Sequence, residues 1–261
     1  MSEVLLIKSE EMVFQKMETN TGYASKCMLV TPEISNTVGA GIHTYDGCSM
    51  EWKTHYDQAL VVLEGTLRIL TGKNYGREIE AVFGDVMWFP KGTRLKYQGE
   101  KARAFSVVYP VDWRTRNEGE IPDATEEVIH VRGRDMLFQQ MHIHSGGYAS
   151  TCPVVGPATS RTLGCGIATY DGCSIDWRSH YDEALVVLGG NFRLLYGEEC
   201  DRAIEGKRGD VCWIPKGARA KYQGERASIF WATFPVDWRT RLDPHSAISN
   251  AMTYATAVKP K

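Results

Sequence analysis

The stretch YDQALVVLEG, residues 56–65, returns almost unchanged as YDEALVVLGG at residues 181–190. Each copy is a run of apolar and β-branched residues that ends at a glycine, a pattern typical of a buried β-strand followed by a turn or bend. A second stretch, GDVMWFPKG at residues 84–92, recurs at the same spacing as GDVCWIPKG at residues 209–217. The constant offset of 125 residues indicates an internal duplication.

The duplication sets the organisation of the chain. Residues 39–116 match residues 164–241 without a gap, and this period is far too long for a solenoid repeat, so each copy predicts one domain. The charged, Pro- and Gly-containing segment between the copies is typical of a linker, which predicts an N-terminal domain of residues 1–120 and a C-terminal domain of residues 121–261. The C-terminal extension, residues 242–261, has no counterpart in the first copy. It could form a short helix after Pro244 or be a loose tail.

Both copies predict β-structure. Short apolar runs separated by glycine and proline, with no sustained helical periodicity, indicate an all-β fold. Apolar residues occupy both faces of these runs, which favours a sandwich or a barrel over a sheet with one solvated face.

Composition excludes several classes of function. The chain has 261 residues, 43% of them hydrophobic, with a net charge of −2, as expected for a globular protein with two cores. This balance, without a basic patch, argues against nucleic-acid and membrane partners. The start, MSEVLLIKSEEM, lacks a basic leader and a long apolar run, and the seven cysteines form no CxxC pair, so we expect a cytoplasmic protein with reduced thiols.

Together, the two repeated stretches resemble the two motifs of the cupins, small jelly-roll β-barrels of the RmlC-like superfamily. With FSVVYPVDW at residues 105–113, they are similar to the cupin domain of EutQ-type ethanolamine-utilisation proteins. The resemblance implies a bicupin, with two tandem cupin barrels, connected to amine metabolism. An acetate kinase activity is attributed to some EutQ-type proteins, but no phosphate-binding loop is recognisable here, so we do not expect that activity.

Metal-binding cupins take two histidines and a carboxylate from the first motif and a third histidine from the second, a set suited to a divalent transition metal. Here only Glu183 matches such a position, so we expect a metal-independent site without a cofactor. Two arrangements would still allow a transition metal to bind. A β-bulge could re-aim His55 and His180, or His142 and His144 could act as a ligand pair on one face of a strand. The residues at the other ligand positions are Trp52, Thr54, Gln58 and Leu95 in the first half and Trp177, Ser179 and Ala220 in the second.

Side-chain alternation along a strand predicts what lines the barrel if Glu183 and Gln58 point inward, as the aligned cupin carboxylate does. A carboxylate in an aromatic cup has a raised pKa, so we predict Glu183 as the acid–base group, assisted by Tyr181 and His180. Alternatively, ionised Glu183 and the aromatic rings hold an ammonium group. The predicted ligand-binding residues are Trp177, Trp213 and Tyr222 in the second half, and Trp52, Tyr56, Gln58, Trp88 and Tyr97 in the first.

The two copies differ at positions that such a site would use, which favours the second half as the charged site. The differences are Gln58 against Glu183, His43 against Ala168, and Ser106 against Trp231.

Three functions are open at this point. The first is a metal-independent lyase, isomerase or hydrolase of a small polar metabolite, either an amine or a carboxylate. The second is a non-catalytic ligand-binding or accessory bicupin of amine metabolism. The third is a metal-dependent bicupin hydrolase resembling ureidoglycine aminohydrolase. We expect a small-molecule ligand and either a monomeric bicupin or a homodimer.

Overall fold

The computed structural model describes residues 3–141 and 145–242, and these residues are almost entirely β-structure, which confirms the predicted fold class. His142, His144 and residues 243–261 of the C-terminal extension lie outside the described residues. Among the described residues no helix is long and apolar enough to cross a membrane. The helices are 3₁₀ turns at Ser9–Glu11, Lys73–Tyr75 and Gly133–Asp135, and α1 (Trp238–Leu242). The strands are β1 (Leu5–Ile7), β2 (Gln15–Lys16), β3 (Tyr23–Val30), β4 (Gly39–Asp46), β5 (Ser49–Lys53), β6 (Asp57–Thr71), β7 (Arg77–Ala81), β8 (Val86–Phe89), β9 (Arg94–Tyr109), β10 (Ile129–Val131), β11 (Gln139–Gln140), β12 (Tyr148–Val155), β13 (Gly164–Asp171), β14 (Cys173–Arg178), β15 (Asp182–Tyr196), β16 (Arg202–Gly206), β17 (Val211–Ile214) and β18 (Arg219–Phe234).

The strands form two compact units. The N-terminal barrel comprises residues 13–135, and the C-terminal barrel comprises residues 3–12 together with the described residues from 136 onward. The N-terminal sheet has the order β10-β8-β6-β9-β4-β3-β2, with β5 on β9 and β7 on β6. The C-terminal sheet has the order β1-β17-β15-β18-β13-β12-β11, with β14 on β18 and β16 on β15. The same connectivity occurs twice, as expected for tandem cupin domains.

One of the two long strands of each barrel, β6 or β15, is bent at a glycine. β6 pairs first with β8 and, beyond the bend, with β7, and its register against β9 shifts between the two halves. Gly65, at the bend, has φ 66°, and a Cβ atom there would lie 2.2 Å from the carbonyl oxygen of Lys101. Gly190 in β15 has φ 68°, and the corresponding contact with the carbonyl oxygen of Arg226 would be 2.1 Å. Only glycine fits these positions without strain, which explains the glycine that ends each repeated motif.

The bend also decides which residues face the core. Leu60 and Val62 belong to the core before the bend, and Leu67 and Ile69 belong to it afterwards, so the inward positions change from even to odd numbers. An extra residue at a bulge produces this shift by one. All four side chains are at most 2% exposed, and burial of each contributes about 1.5–3 kcal/mol relative to exposure.

Each barrel is completed by an edge strand from outside its own sequence copy. β1 pairs with β17 of the C-terminal barrel, where Leu5 lies opposite Trp213. β10 pairs with β8 of the N-terminal barrel, where Ile129 lies opposite Trp88. The compact units therefore differ from domains divided at residue 120, because backbone pairing places these edge strands and an alignment of the two copies does not reveal it.

The aspartate of each Gly-Asp motif holds an edge segment in place. Asp210 accepts hydrogen bonds from the backbone N–H groups of Ser9 at 2.8 Å and Lys207 at 3.0 Å, and it pairs with the Lys8 ammonium at 3.2 Å. Asp85 makes the corresponding contacts to the segment that contains β10. These two carboxylates connect each edge segment to the turn that precedes the second motif.

Replacement of Asp210 by Ala should leave the Ser9 and Lys207 backbone N–H groups without their acceptor and loosen β1. We expect the free energy of unfolding to fall by about 2–3 kcal/mol, because two part-buried hydrogen bonds lose their charged acceptor. Urea denaturation measures this loss, and amide hydrogen exchange should quicken in residues 3–12. Glu199→Ala, which removes an exposed carboxylate of the same barrel, is the control. Unchanged protection of residues 3–12 in the Asp210 variant would contradict the proposed contact.

Candidate functional site

The C-terminal barrel contains a cavity of about 330 Å³, a size suited to a small molecule. Strands β12, β13, β14, β15 and β18 provide its walls, and the start of α1 contributes Trp238 and the exposed Arg239. The aromatic residues that line it are Tyr170, Trp177, Tyr181, Tyr222, Trp231 and Trp238.

Glu183 is the acidic residue of this cavity among the described residues that line it. It belongs to β15 between β17 and β18, opposite Ile214 on one side and Thr233 on the other, and it is 5% exposed. Its Oε2 atom accepts a hydrogen bond of 2.7 Å from the Tyr222 hydroxyl, and Oε1 accepts none from the described residues. Burial raises the pKa of Glu183 to about 7, although the Tyr222 hydrogen bond opposes that rise. Both protonation states are therefore populated at neutral pH.

A cluster of aromatic rings forms another part of the cavity wall. The ring of Trp238 lies 5.1 Å from that of Tyr181 and 5.6 Å from that of Trp177, measured between centroids. The guanidinium group of Arg239 lies over the Trp238 ring at 4.9 Å. Burial raises the pKa of Tyr181 well above its usual value, so its hydroxyl stays protonated and can donate a hydrogen bond to a ligand.

Trp231 lines the cavity because a glycine leaves room for its ring. Trp231 on β18 pairs with Gly166 on β13, and a Cβ atom at Gly166 would lie 2.8 Å from Cζ2 of the Trp231 ring. Ala168, two residues further along β13, is small and leaves the adjacent space empty. These small residues permit a large indole beside Glu183 in the same barrel.

The N-terminal barrel repeats the hydrogen bond without the charge. Gln58 occupies the position of Glu183, and its Oε1 atom accepts a hydrogen bond of 2.9 Å from the hydroxyl of Tyr97, the counterpart of Tyr222. The amide cannot ionise. This barrel therefore keeps the buried polar pair but loses the acid–base group.

The corresponding cavity of the N-terminal barrel is nearly filled, with a volume of about 30 Å³. His43 occupies the position of Ala168, and its Nδ1 atom lies 3.4 Å from the hydroxyl oxygen of Ser106, which occupies the position of Trp231. Burial, with the nearby charges of Lys26 and Arg114, lowers the pKa of His43 to about 4, so the imidazole is neutral at pH 7.

The structure brings together four of the residues that the sequence predicted for the second half. Glu183, Tyr181, Trp177 and Tyr222 all line the cavity. His180, the third predicted catalytic residue, does not line it and instead contacts the rings of Trp177 and Trp238.

The prediction assumed that side chains alternate between inward and outward from Trp177 to Glu183, but the strand is interrupted between these residues. β14 ends at Arg178 and β15 begins at Asp182, and the backbone bends between them. Ser179, which uninterrupted alternation would point inward, donates its hydroxyl hydrogen to the carbonyl oxygen of Tyr181 at 2.6 Å.

The two second-motif tryptophans are placed differently from the prediction. Cys212 and Ile214 belong to the core cluster of the C-terminal barrel, and Trp213 between them faces the other side of β17. Trp88 is placed in the same way on β8, and both indoles are buried. Apolar residues cover both faces of these short strands, so the inward face could not be inferred from the sequence.

The remaining predicted residues of the first half do not form an open site. Gln58 and Tyr97 are buried in the core, and Tyr56 lines the small cavity. Trp52 is 38% exposed and contacts the rings of His55 and Trp113.

Sequence reasoning missed Trp238 and Arg239, which lie 55 and 56 residues after Glu183 in the chain. They belong to the PVDWRTR segment, which is identical in both copies, and this identity was an available signal. The repeat alone could not assign these two residues to the site, because nothing in the local pattern shows that the segment lies beside the cavity.

A comparison with known families agrees with this architecture. The chain matches the family of the ethanolamine utilisation protein EutQ over residues 1–115 and 145–240. The chain belongs to the EutQ family. It is 32% identical over 90 residues to the acetate kinase EutQ of Clostridioides difficile, which covers 34% of this chain and 55% of that protein. It is 31% identical over 88 residues to the acetate kinase EutQ of Salmonella typhimurium, which covers 33% of this chain and 37% of that protein. The matched region is thus about half of the first relative and less than half of the second.

Solved structures share the fold of this EutQ-family chain. The protein Ylba of E. coli superimposes with a TM-score of 0.68 at 11% identity, covering 89% of this chain and 91% of Ylba. A variant of the oxalate decarboxylase OxdC of Bacillus subtilis superimposes with a TM-score of 0.65 at 13% identity, covering 100% of this chain and 88% of OxdC. At these identities the likeness concerns the fold alone.

The residues of the C-terminal barrel do not fit the metal site of metal-binding cupins. Of the corresponding positions, Trp177 and Ala220 offer no metal ligand, and the Ser179 hydroxyl already donates to a backbone carbonyl. Glu183 alone remains, and one carboxylate is too few donors for a transition-metal site. Among the described residues, no group of three His, Cys, Asp or Glu side chains could hold a metal ion.

The raised pKa of Glu183 predicts a pH-dependent contribution to stability. Because the folded state favours the protonated form, this contribution is present below the ordinary pKa of glutamate and is lost as the pH rises through about 7. Between pH 5 and pH 8, the free energy of unfolding of the wild type should fall by about 2–3 kcal/mol relative to Glu183→Gln. Urea denaturation of both proteins at each pH measures the difference. Parallel pH profiles would show that Glu183 titrates as an ordinary exposed carboxylate.

Proposed function

We propose that this EutQ-family bicupin acts on a small polar metabolite in the cavity of the C-terminal barrel, with Glu183 as the acid–base group. The observation that carries the proposal is a buried carboxylate that lines a cavity and makes a single hydrogen bond, to Tyr222. Burial of such a group is costly, and a ligand or a proton-transfer role gives a reason for it.

The geometry supports proton transfer as the chemistry. A group with a pKa near the working pH can accept a proton in one step and return it in another. Tyr222 fixes the orientation of the carboxyl group, and the Tyr181 hydroxyl is available to orient the ligand. These roles suit a lyase, isomerase or hydrolase reaction of a small metabolite. The N-terminal barrel, with Gln58 and a nearly filled interior, acts as a structural partner in this proposal.

We do not extend the acetate kinase activity of the curated relatives to this chain. Phosphoryl transfer usually relies on several cationic groups around the phosphates. Among the described residues that line the cavity, Arg239 alone is cationic.

We also propose a reducing, intracellular setting. All seven cysteines are unpaired, and six of them are buried. Burial raises the pKa of several of these thiols, including Cys165 and Cys212, which makes them poor nucleophiles and suits a structural role.

A ligand screen tests the proposed function. We expect members of a panel of small amines and carboxylates to raise the melting temperature of the wild type, because a ligand that binds the folded state stabilises it. Each stabilising compound is then incubated with the protein and followed by proton NMR. Glu183→Gln should lower turnover by at least about 100-fold, the usual minimum for loss of an acid–base group.

Two further variants make the test specific. Glu205→Gln removes an exposed carboxylate of the same barrel and should retain turnover. The double variant Ala168→His with Trp231→Ser copies the residues of the N-terminal barrel and should abolish binding, because it removes the Trp231 wall and places an imidazole in the space beside residue 168. Equal stabilisation of this double variant and the wild type would place the ligand elsewhere and refute the proposal. Binding without turnover would instead support the accessory, non-catalytic role.

A further inference from the structure

The charge of Glu183 has no protein counter-ion among the described residues. None of their lysine, arginine or histidine side chains forms an ion pair with it, and its polar contact is the neutral hydroxyl of Tyr222. A buried carboxylate of this kind is stable either as the protonated acid or beside a positive charge that a ligand supplies. The cavity beside it has room for such a ligand.

The aromatic walls of the cavity favour the same sign of charge. The π-faces of tryptophan and tyrosine carry negative electrostatic potential, and tryptophan attracts cations most strongly. Trp177 and Trp231 line the cavity together with Tyr170, Tyr181 and Tyr222. A negatively charged group placed here would meet both the carboxylate and these faces, whereas a positively charged group would be attracted by both.

Comparison with the N-terminal barrel shows that the buried carboxylate and the tryptophan wall occur together. Where the cavity is nearly filled, the carboxylate is replaced by Gln58 and the indole by Ser106. Where the cavity is open, Glu183 and Trp231 are both present. The two differences between the copies therefore change the electrostatics of the interior in the same direction.

Arg239 limits where a cation can lie. Its guanidinium group already lies over Trp238 at 4.9 Å, and its side chain is exposed at the cavity opening. Its positive charge disfavours a second positive group close to it and favours a position nearer Glu183. The part of the ligand near Arg239 must be neutral or negatively charged.

From this arrangement we infer that the ligand of the C-terminal barrel is a small organic ammonium ion, with its positive group beside Glu183 and against the rings of Trp177 and Trp231. The inference rests on the proposed function, since it names the substrate class of the same cavity. It adds a specific role for Trp231 as a cation-binding face.

Isothermal titration calorimetry with ligands matched in shape tests the inference. At pH 8 the probes are butylammonium, butan-1-ol and butanoate, together with choline and its neutral analogue 3,3-dimethylbutan-1-ol. We expect at least one ammonium ion to bind about tenfold more tightly than its neutral analogue, from the ion pair and the cation–π contacts together. Its affinity should fall about tenfold between pH 8 and pH 6 as Glu183 becomes protonated.

Three variants identify the groups responsible. Glu183→Gln should remove both the preference for ammonium and its pH dependence. Trp231→Leu keeps an apolar side chain without a π-face, and it should weaken ammonium binding more than alcohol binding. Glu205→Gln should change neither preference.

The outcomes separate this inference from the proposed function. If butan-1-ol or butanoate binds as tightly as butylammonium, and the Ala168→His, Trp231→Ser double variant abolishes that binding, the ammonium assignment is wrong and the proposed site stands. If no ammonium probe binds, the assignment is also wrong, because a cation cage must hold a simple cation. The metabolite screen above then decides whether the cavity has a function.

Discussion

The bend at Gly65 and Gly190 is the constraint on which each barrel depends. The backbone of β9 or β18 passes so close to this residue that no side chain fits, and the positive φ angle bends the long strand there. One strand can then pair with two different partners on either side of the bend. The one-residue shift at the bend keeps apolar residues directed inward along both halves.

The same constraint determines the position of the carboxylate. Glu183 lies on the first half of β15, on the same face as Leu185 and Val187 of the core cluster. A strand paired on both sides cannot rotate one residue outward without moving its neighbours, so Glu183 stays buried despite the cost to its charge. The high pKa of this carboxyl group is thus a consequence of the fold, and the carboxyl group lies beside a cavity.

Two barrels with the same connectivity have different interiors because a few side chains differ. His43 and Ser106 line the small cavity of the N-terminal barrel, whereas Ala168 and Trp231 line the larger cavity of the C-terminal barrel. The larger side chain of each pair is on β4 in the N-terminal barrel and on β18 in the C-terminal barrel, so the two interiors differ in shape as well as in volume. The interior with the larger cavity contains a carboxylate, whereas the interior of the N-terminal barrel contains an amide and a neutral imidazole. The duplication thus produced two barrels with the same connectivity, and later substitutions left a cavity with a carboxylate in the C-terminal barrel alone among the described residues of the two interiors.

The amino-acid sequence by itself determined the all-β fold and the duplication, because apolar runs, bend glycines and repeats are local patterns. The inward position of Glu183 came from the resemblance to the cupins, in which the aligned carboxylate points into the barrel. Only the tertiary structure decided that Trp213 faces away from the cavity, that Trp238 and Arg239 reach its opening, and that the edge strands β1 and β10 each complete a barrel outside their own sequence copy. These features depend on which distant strands pair and on which face of a doubly buried strand points inward. Both are settled by packing across the whole barrel, and a local run of apolar residues is compatible with either choice.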